Sequence, residues 1–328
     1  MKIPEKLYRF RPLHRSLIKR ELDALKNSYL YSPSFASMND PMEAFYNLGV
    51  SSDAVVNSML AVSGKSVEHL YDLARDTISG FGLVSFSNSY ENLPMWAYYA
   101  SNFAGMCLEF ETTDLLIGDF QNENIFPVKY EEEALPSIGF AGFDNSFQHA
   151  IQERFTRKRI EWKHENEWRL LAGSVGPKYY LDDALRRLFL GPRVSSGHVK
   201  KICSLLDRRS VEILKGEVNG FKLIFRVIKP ARPLEECEKI GAGRFDSDDA
   251  LYSDSSIADT ITVPMDVLLQ HCQKNALRPN LEELSYIGVD SSNKDQIFLS
   301  MLFKLRSGRK IYYTQYLTRR CELIGGAP

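Results

Sequence analysis

Ile160-Glu161-Trp162-Lys163-His164-Glu165-Asn166-Glu167-Trp168-Arg169-Leu170 is the stretch on which the fold reading turns. Its second half alternates charged and apolar side chains, the period-two pattern of a strand with one buried face. Read as one run entering that strand, Glu165, Glu167 and Arg169 share a face, while Asn166, Trp168 and Leu170 point into a core. Upstream, Phe147, Ile151 and Phe155 are spaced as one side of a helix. Residues 82–87, 106–110 and 126–130 read as strands, and a short helix after Pro94 carries Trp96 and Tyr99. Downstream, residues 185–190, 211–215 and 221–228 read as strands, with a helix between 196 and 208. At the front, residues 7–11 form a strand. A helix follows on Leu17, Ile18, Leu22 and Leu25, then a short strand at Tyr29-Leu30-Tyr31. Residues 53–78 are mostly helical. Strands outnumber helices and many are adjacent in sequence. The pattern predicts an α+β fold of mixed, largely antiparallel sheets with flanking helices, without the regular βαβ alternation of a parallel sheet.

Composition narrows the classes further. With 44% hydrophobic and 25% charged residues, a chain of 328 can bury a core without disulfides or a structural metal. Lys plus Arg is 41 and Asp plus Glu 42, which excludes a strongly basic nucleic-acid coat protein but not a local basic patch. No run approaches the roughly 18 apolar residues of a membrane span. Met1-Lys2-Ile3-Pro4-Glu5-Lys6 lacks the apolar core of a secretory signal, so no membrane partner and a cytoplasmic protein are expected. The five cysteines are widely spaced, with no C-x-x-C and no H-E-x-x-H, which predicts buried thiols and no metal site.

Composition shifts near Pro230. Residues 1–230 read as the main domain, and 231–258 as an acidic connector. Residues 259–328 read as a small α/β module with a hairpin around Ser307-Gly308. From Met301 onward there are six basic residues (304, 306, 309, 310, 319, 320) against Glu322, with Tyr312, Tyr313 and Tyr316 interleaved. Aromatics among cations can stack bases and hold phosphates; the plainer reading is a solvated hairpin with packed tyrosines.

Three constellations could carry chemistry. Glu165 and Glu167 beside Arg169 suit a cationic or polyhydroxyl substrate, or are simply a solvated charged face. Arg9 and Arg11 on one side of a strand suit phosphate, or are exposed arginines on an edge. Ser85 and Ser87 at a strand end could bond a ligand or neighbouring backbone. Gly241-Ala242-Gly243 has no third glycine at Rossmann spacing, and neither a Walker loop nor a G-x-S-x-G elbow occurs.

Several of these motifs, in order, resemble one family. Leu7-Tyr8-Arg9-Phe10-Arg11-Pro12, Phe35 with Met38-Asn39-Asp40-Pro41-Met42-Glu43, and Val84-Ser85-Phe86-Ser87 match the bacterial domain of unknown function 2971 family. So do Leu93-Pro94-Met95-Trp96-Ala97-Tyr98-Tyr99-Ala100, Gly105-Met106-Cys107-Leu108-Glu109-Phe110, Val128-Lys129-Tyr130, and Trp162 through Arg169. The resemblance spans about residues 7–228 and implies no activity, though some members occur in phage-defence or toxin-like settings. A looser similarity is to the Arg–Ser–Glu signature of ADP-ribosyltransferases: an Arg on the first strand, a hydroxyl-aromatic-hydroxyl strand, then Glu-x-Glu. Phe86 departs from it, since the usual pattern has Thr there.

That similarity implies a NAD-dependent ADP-ribosyltransferase, a glycosyltransferase of toxin or phage-defence type with NAD as substrate. Glu167 would be catalytic and Glu165 would position or deprotonate the acceptor. Arg9 or Arg11 would hold the pyrophosphate, and Ser85 and Ser87 would shape the nicotinamide pocket. Trp96 or Tyr99 would stack on nicotinamide, with Asn39, Asp40 and Arg169 contacting substrate. RNA, DNA or protein would be the acceptor, and an antitoxin or immunity protein a partner. Two rivals stand beside it: a Mg²⁺-dependent nuclease using Asp40, Glu43, Glu165 and Glu167, and a non-catalytic partner-binding module.

Overall fold

Six residues, Lys6–Arg11, form β1, and Ile18–Asn27 form α1. In this computed structural model the described residues are 2–14, 16–38, 40, 72, 76, 79–121, 123–133, 152–251 and 255–327. After α1, Ser28 turns left-handed at φ 51° and its N–H closes on Ala24 O, ending the helix. The chain continues through β2 (Tyr29–Ser32), β3 (Gly82–Ser87), α2 (Leu93–Tyr98), β4 (Met106–Glu111) and α3 (Thr112–Leu115). Next come β5 (Asn124–Pro127), β6 (Lys129–Glu131), β7 (Arg157–Arg159), β8 (Glu167–Ala172), β9 (Gly176–Tyr179) and β10 (Leu185–Leu190). Then follow α4 (Ser196–Leu205), β11 (Glu212–Asn219), β12 (Lys222–Lys229), β13 (Arg244–Phe245), α5 (Ser247–Leu251), α6 (Ser255–Thr260) and α7 (Met265–Ala276). The last strands are β14 (Leu281–Val289), β15 (Gln296–Lys304), β16 (Lys310–Thr318) and β17 (Leu323–Ala327). The fold is mixed α+β, and its strand pairs are mostly antiparallel.

The chain divides into two compact units, each assembled from separate stretches. The first comprises residues 1–3, 31–94 and 123–177. In it, β3 and β5 flank β8, both antiparallel, with Ser85 opposite Arg169 and Ser87 opposite Glu167. Strand alternation puts these four on one face, and sends Val84, Phe86, Trp168 and Leu170, all buried, to the other. β6 and β7 pair in parallel, Tyr130 beside Lys158.

The second unit holds residues 4–30, 95–122 and 178–328. Its larger set of strands runs β12-β11-β10-β4-β1, with β10 and β11 parallel and the rest antiparallel. Its other sheet, β13 to β17 in sequence order, has the helices α5, α6 and α7 packed on β14. Strict alternation in β15 buries Ile297, Leu299, Met301 and Phe303 with Leu268 and Cys272 of α7 and Leu281, Leu284 and Ile287 of β14.

One reading changes. Ile160–Glu165 is a 3₁₀ helix, and Asn166 takes φ 47°, so β8 begins only at Glu167. The left-handed Asn166 resets the chain, and a period-two count does not carry back to Glu165. The acidic connector after Pro230 carries short helices, and Ala250 and Ile257 from them are buried in the core of the β13–β17 sheet. Of the predicted 53–78 helix, only residues 72 and 76 are described, both helical. Of the helix on Phe147, Ile151 and Phe155, only 152–155 are described. Among the described residues no helix is long and apolar enough to cross a membrane.

Candidate functional site

Glu165 and Glu167 meet around a cation that the sequence reading passed over. Lys158 Nζ lies 2.6 Å from Glu165 Oε2 and 3.3 Å from Glu167 Oε2. Arg169, fully buried, places Nε 2.8 Å from Glu167 Oε1 and Nη2 2.9 Å from Oε2, the two-pronged geometry of a guanidinium on a carboxylate. Its Nη1 donates to Phe155 O at 2.7 Å. Ser85 also hydrogen-bonds the Glu167 side chain. Ser87 Oγ donates to the Glu165 carbonyl at 3.0 Å, and the Glu167 N–H donates to the Tyr130 hydroxyl at 2.8 Å. Lys158 further sits 4.9 Å from the Trp162 ring centroid, a cation–π contact.

Burial works against ionising Glu167, but the charges of Arg169 and Lys158 and the hydrogen bonds of Arg169 and Ser85 outweigh it. They hold the carboxyl down at about 2. Burial likewise pushes the Tyr130 phenol up to about 12. Glu167 is therefore a fixed anion at neutral pH, held among donors.

Local structure explains the convergence. Alternation in Arg157-Lys158-Arg159 buries the middle residue and leaves its neighbours more open. The 3₁₀ turn then brings the chain back, so Glu165 returns to Lys158 although it is not on β8. A lone lysine of buried parity inside a basic triplet, just before Glu-x-Glu, was the available sequence signal.

Ser85, Ser87, Glu165, Glu167 and Arg169 are thus brought together in one unit. Asp40 is buried in the same unit, whereas Asn39 and Glu43 lie outside the described residues. Arg9, Arg11, Trp96 and Tyr99 belong to the other unit. There Arg11 is bonded through Nε (2.8 Å) and Nη2 to the Glu21 carboxylate on α1. Arg9, buried on β1, is pulled down to about 9 by burial and then by the charge of Arg11. Both are tied into the body of the unit, not splayed on an edge. Trp96 is fully buried, edge-on to Phe10 at 5.2 Å and tilted against Phe225 at 5.5 Å; it is a core residue. Tyr99 is half-buried.

Among the described residues, no three His, Cys, Asp or Glu side chains are grouped as a metal site. Lys158 Nζ occupies the place between Glu165 and Glu167 that a divalent cation would need. All five cysteines are free, and four of them are buried.

Comparison with known proteins gives one match. The family model described as "Protein of unknown function (DUF2971)" matches residues 95–170, which ends inside β8 and takes in both glutamates of Glu-x-Glu. No curated protein and no solved structure matches.

Proposed function

We propose that the chain is a NAD-dependent ADP-ribosyltransferase, of toxin or defence type, acting on nucleic acid or protein. The observation that carries this reading is the pairing of β3 with β8, which sets Ser87 opposite Glu167 and Ser85 opposite Arg169 on one face. The hydroxyl strand β3 and the strand that opens with Glu167 are neighbours, which sets both motifs side by side.

In the proposed reaction the bond between nicotinamide nitrogen and ribose C1′ breaks, and its electron pair leaves with nicotinamide. The ribose passes through an oxocarbenium-like state, as in glycoside hydrolysis. An acceptor nucleophile then bonds C1′ and gives up its proton. A carboxylate held ionised, as Glu167 is, stabilises the developing cation; such preorganised contacts are worth about 3–4 kcal/mol of barrier. Glu165 takes the acceptor proton once Lys158 withdraws from it.

A second reading rests on a different observation. The oxygens of Glu167 already accept from Arg169, Lys158 and Ser85, as in an ion network that holds a fold together. That favours a non-catalytic module whose work is partner binding. Titration calorimetry with NAD and transfer of label from radioactive NAD separate the two. The enzyme reading expects NAD binding by the wild type and labelling lost in Ser85→Ala and Glu167→Gln, each scored beside its unfolding curve. Absence of NAD binding by the folded wild type overturns it and leaves the module.

A further inference from the structure

The β13–β17 sheet has a second face, opposite its helices. Alternation in β15 sends Phe298, Ser300, Leu302 and Lys304 to that side. Across from them stand Tyr316, Thr314, Tyr312 and Lys310 of β16, and Gly288, Tyr286 and Glu283 of β14. The aromatic rings form a row: Tyr286 to Phe298 is 5.5 Å between centroids, and Phe298 to Tyr316 is 6.5 Å. Tyr312, beside Leu302, is 70% exposed. Tyr313 faces the other way, onto Phe303 in the core.

Gly288 explains the attitude of the rings. A Cβ there would lie 2.7 Å from Tyr286 Cε1 and 3.0 Å from Phe298 Cε1. The two rings therefore lie over the glycine, in space that a side chain there would take. Charge follows the same face. Of the six basic residues after 300, Arg306, Arg309, Lys310 and Arg319 pair with Asp182, Asp119, Glu282 and Asp295. Lys304 and Lys310 stand opposite one another at the hairpin end of the aromatic face, and the Lys310 side chain stays half-exposed beside Glu282. Ser300 and Thr314 stand opposite one another, between the Phe298–Tyr316 and Leu302–Tyr312 pairs.

We propose that this face binds single-stranded RNA. Bases stack on Tyr286, Phe298, Tyr316 and Tyr312, which is sequence-tolerant because every base has a π face. Lys304 and Lys310 hold phosphates at the hairpin end, and Ser300 and Thr314 reach ribose 2′-hydroxyls. A single strand is required, since duplex bases are not free to stack on protein rings. The proposal stands on this sheet alone and does not draw on NAD chemistry.

The test is fluorescence anisotropy of the full chain with a labelled oligouridylate of about a dozen nucleotides, at about 50 and 200 mM salt. The wild type is expected to bind, more weakly at the higher salt. Phe298→Leu and Tyr316→Leu keep apolar packing and remove the π face, and each is expected to weaken binding about tenfold with the unfolding midpoint retained. Lys304→Gln combined with Lys310→Gln is expected to reduce the slope of log K against log salt by roughly 1.4, two contacts at about 0.7 each. Failure of the wild type to bind, or leucine variants that bind as it does, overturns the proposal. Equal affinity for oligothymidylate overturns the assignment to RNA. A dimer in sedimentation equilibrium that Tyr316→Leu dissociates would make a second copy of the chain the occupant instead.

Discussion

Glu167 shows how a charged side chain is kept inside a protein. Desolvation of an isolated buried carboxylate is prohibitive, so the anion survives only with partners of fixed geometry. Arg169 and Lys158 supply them, and the result is a pH dependence with a definite sign. The group is lowered from 4.5 to about 2 on folding, so its contribution is complete above about 4.5 and is lost as pH falls toward 2. The difference corresponds to about 3 kcal/mol, from 1.36 kcal/mol per unit. Asp183 and Glu21 are lowered too: burial raises each, but Arg278 outweighs it at Asp183, and Arg11 with Arg20 does so at Glu21. The wild type is therefore expected to lose stability as pH falls below about 4.5 toward 2. Glu167→Gln is expected to start about 3 kcal/mol lower at neutral pH, because it leaves two buried cations under-compensated, and to fall less steeply. Urea unfolding across that range checks this; parallel slopes for the two proteins would refute it.

At the scale of elements, the β15–β16 hairpin and the entry to β8 make an instructive pair. Between Leu305 and Arg309 the hairpin turns through Gly308 at φ 87°, a left-handed position with open space where a Cβ would go. Strain alone therefore sets the cost of Gly308→Ala, about 1 kcal/mol, and Gly308→Asn should cost less because Asn tolerates that conformation. Denaturant midpoints of the two variants measure it, and an alanine variant as stable as the asparagine one would contradict the account. This hairpin was legible because its determinants are local: a Ser-Gly turn between two alternating runs. The entry to β8 was legible only in part. Glu167, Trp168 and Arg169 alternate as read, but the left-handed Asn166 is a single-residue event with no period to announce it. Lys158 was missed because its partners lie 7 and 9 residues away, across a turn that the sequence pattern does not describe.

At the scale of the whole molecule, neither compact unit is one continuous stretch, and residues 178–328 belong to the same unit as β1. The contacts that bind the last hundred residues to the unit include ion pairs between distant positions. Buried Asp182 accepts from Ser28 Oγ, pairs with Arg209 and takes both prongs of Arg306, 124 residues on. Buried Asp183 pairs with Arg278, which also reaches Asp114 at 2.9 Å. Asn280 Oδ1 accepts the Asp182 N–H at 2.6 Å, and Ile117 and Leu181 sit in the core of the β13–β17 sheet. No local periodicity reports such pairs, which is why a boundary drawn from composition says nothing about them. Cutting the chain after residue 230 would strip Asp183 of Arg278 and Asp182 of Arg306 while exposing Ile117 and Leu181. Removing one partner of a buried pair costs about 3–5 kcal/mol, and two such losses equal much of the 5–15 kcal/mol that holds a domain together. Residues 1–230 alone are therefore expected to melt well below the full-length midpoint, with rapid proteolysis within 95–122 and 178–230, whereas Arg278→Met in the full chain should lower the midpoint less. A truncated chain that melts cooperatively near the full-length midpoint would show that these ion pairs are dispensable.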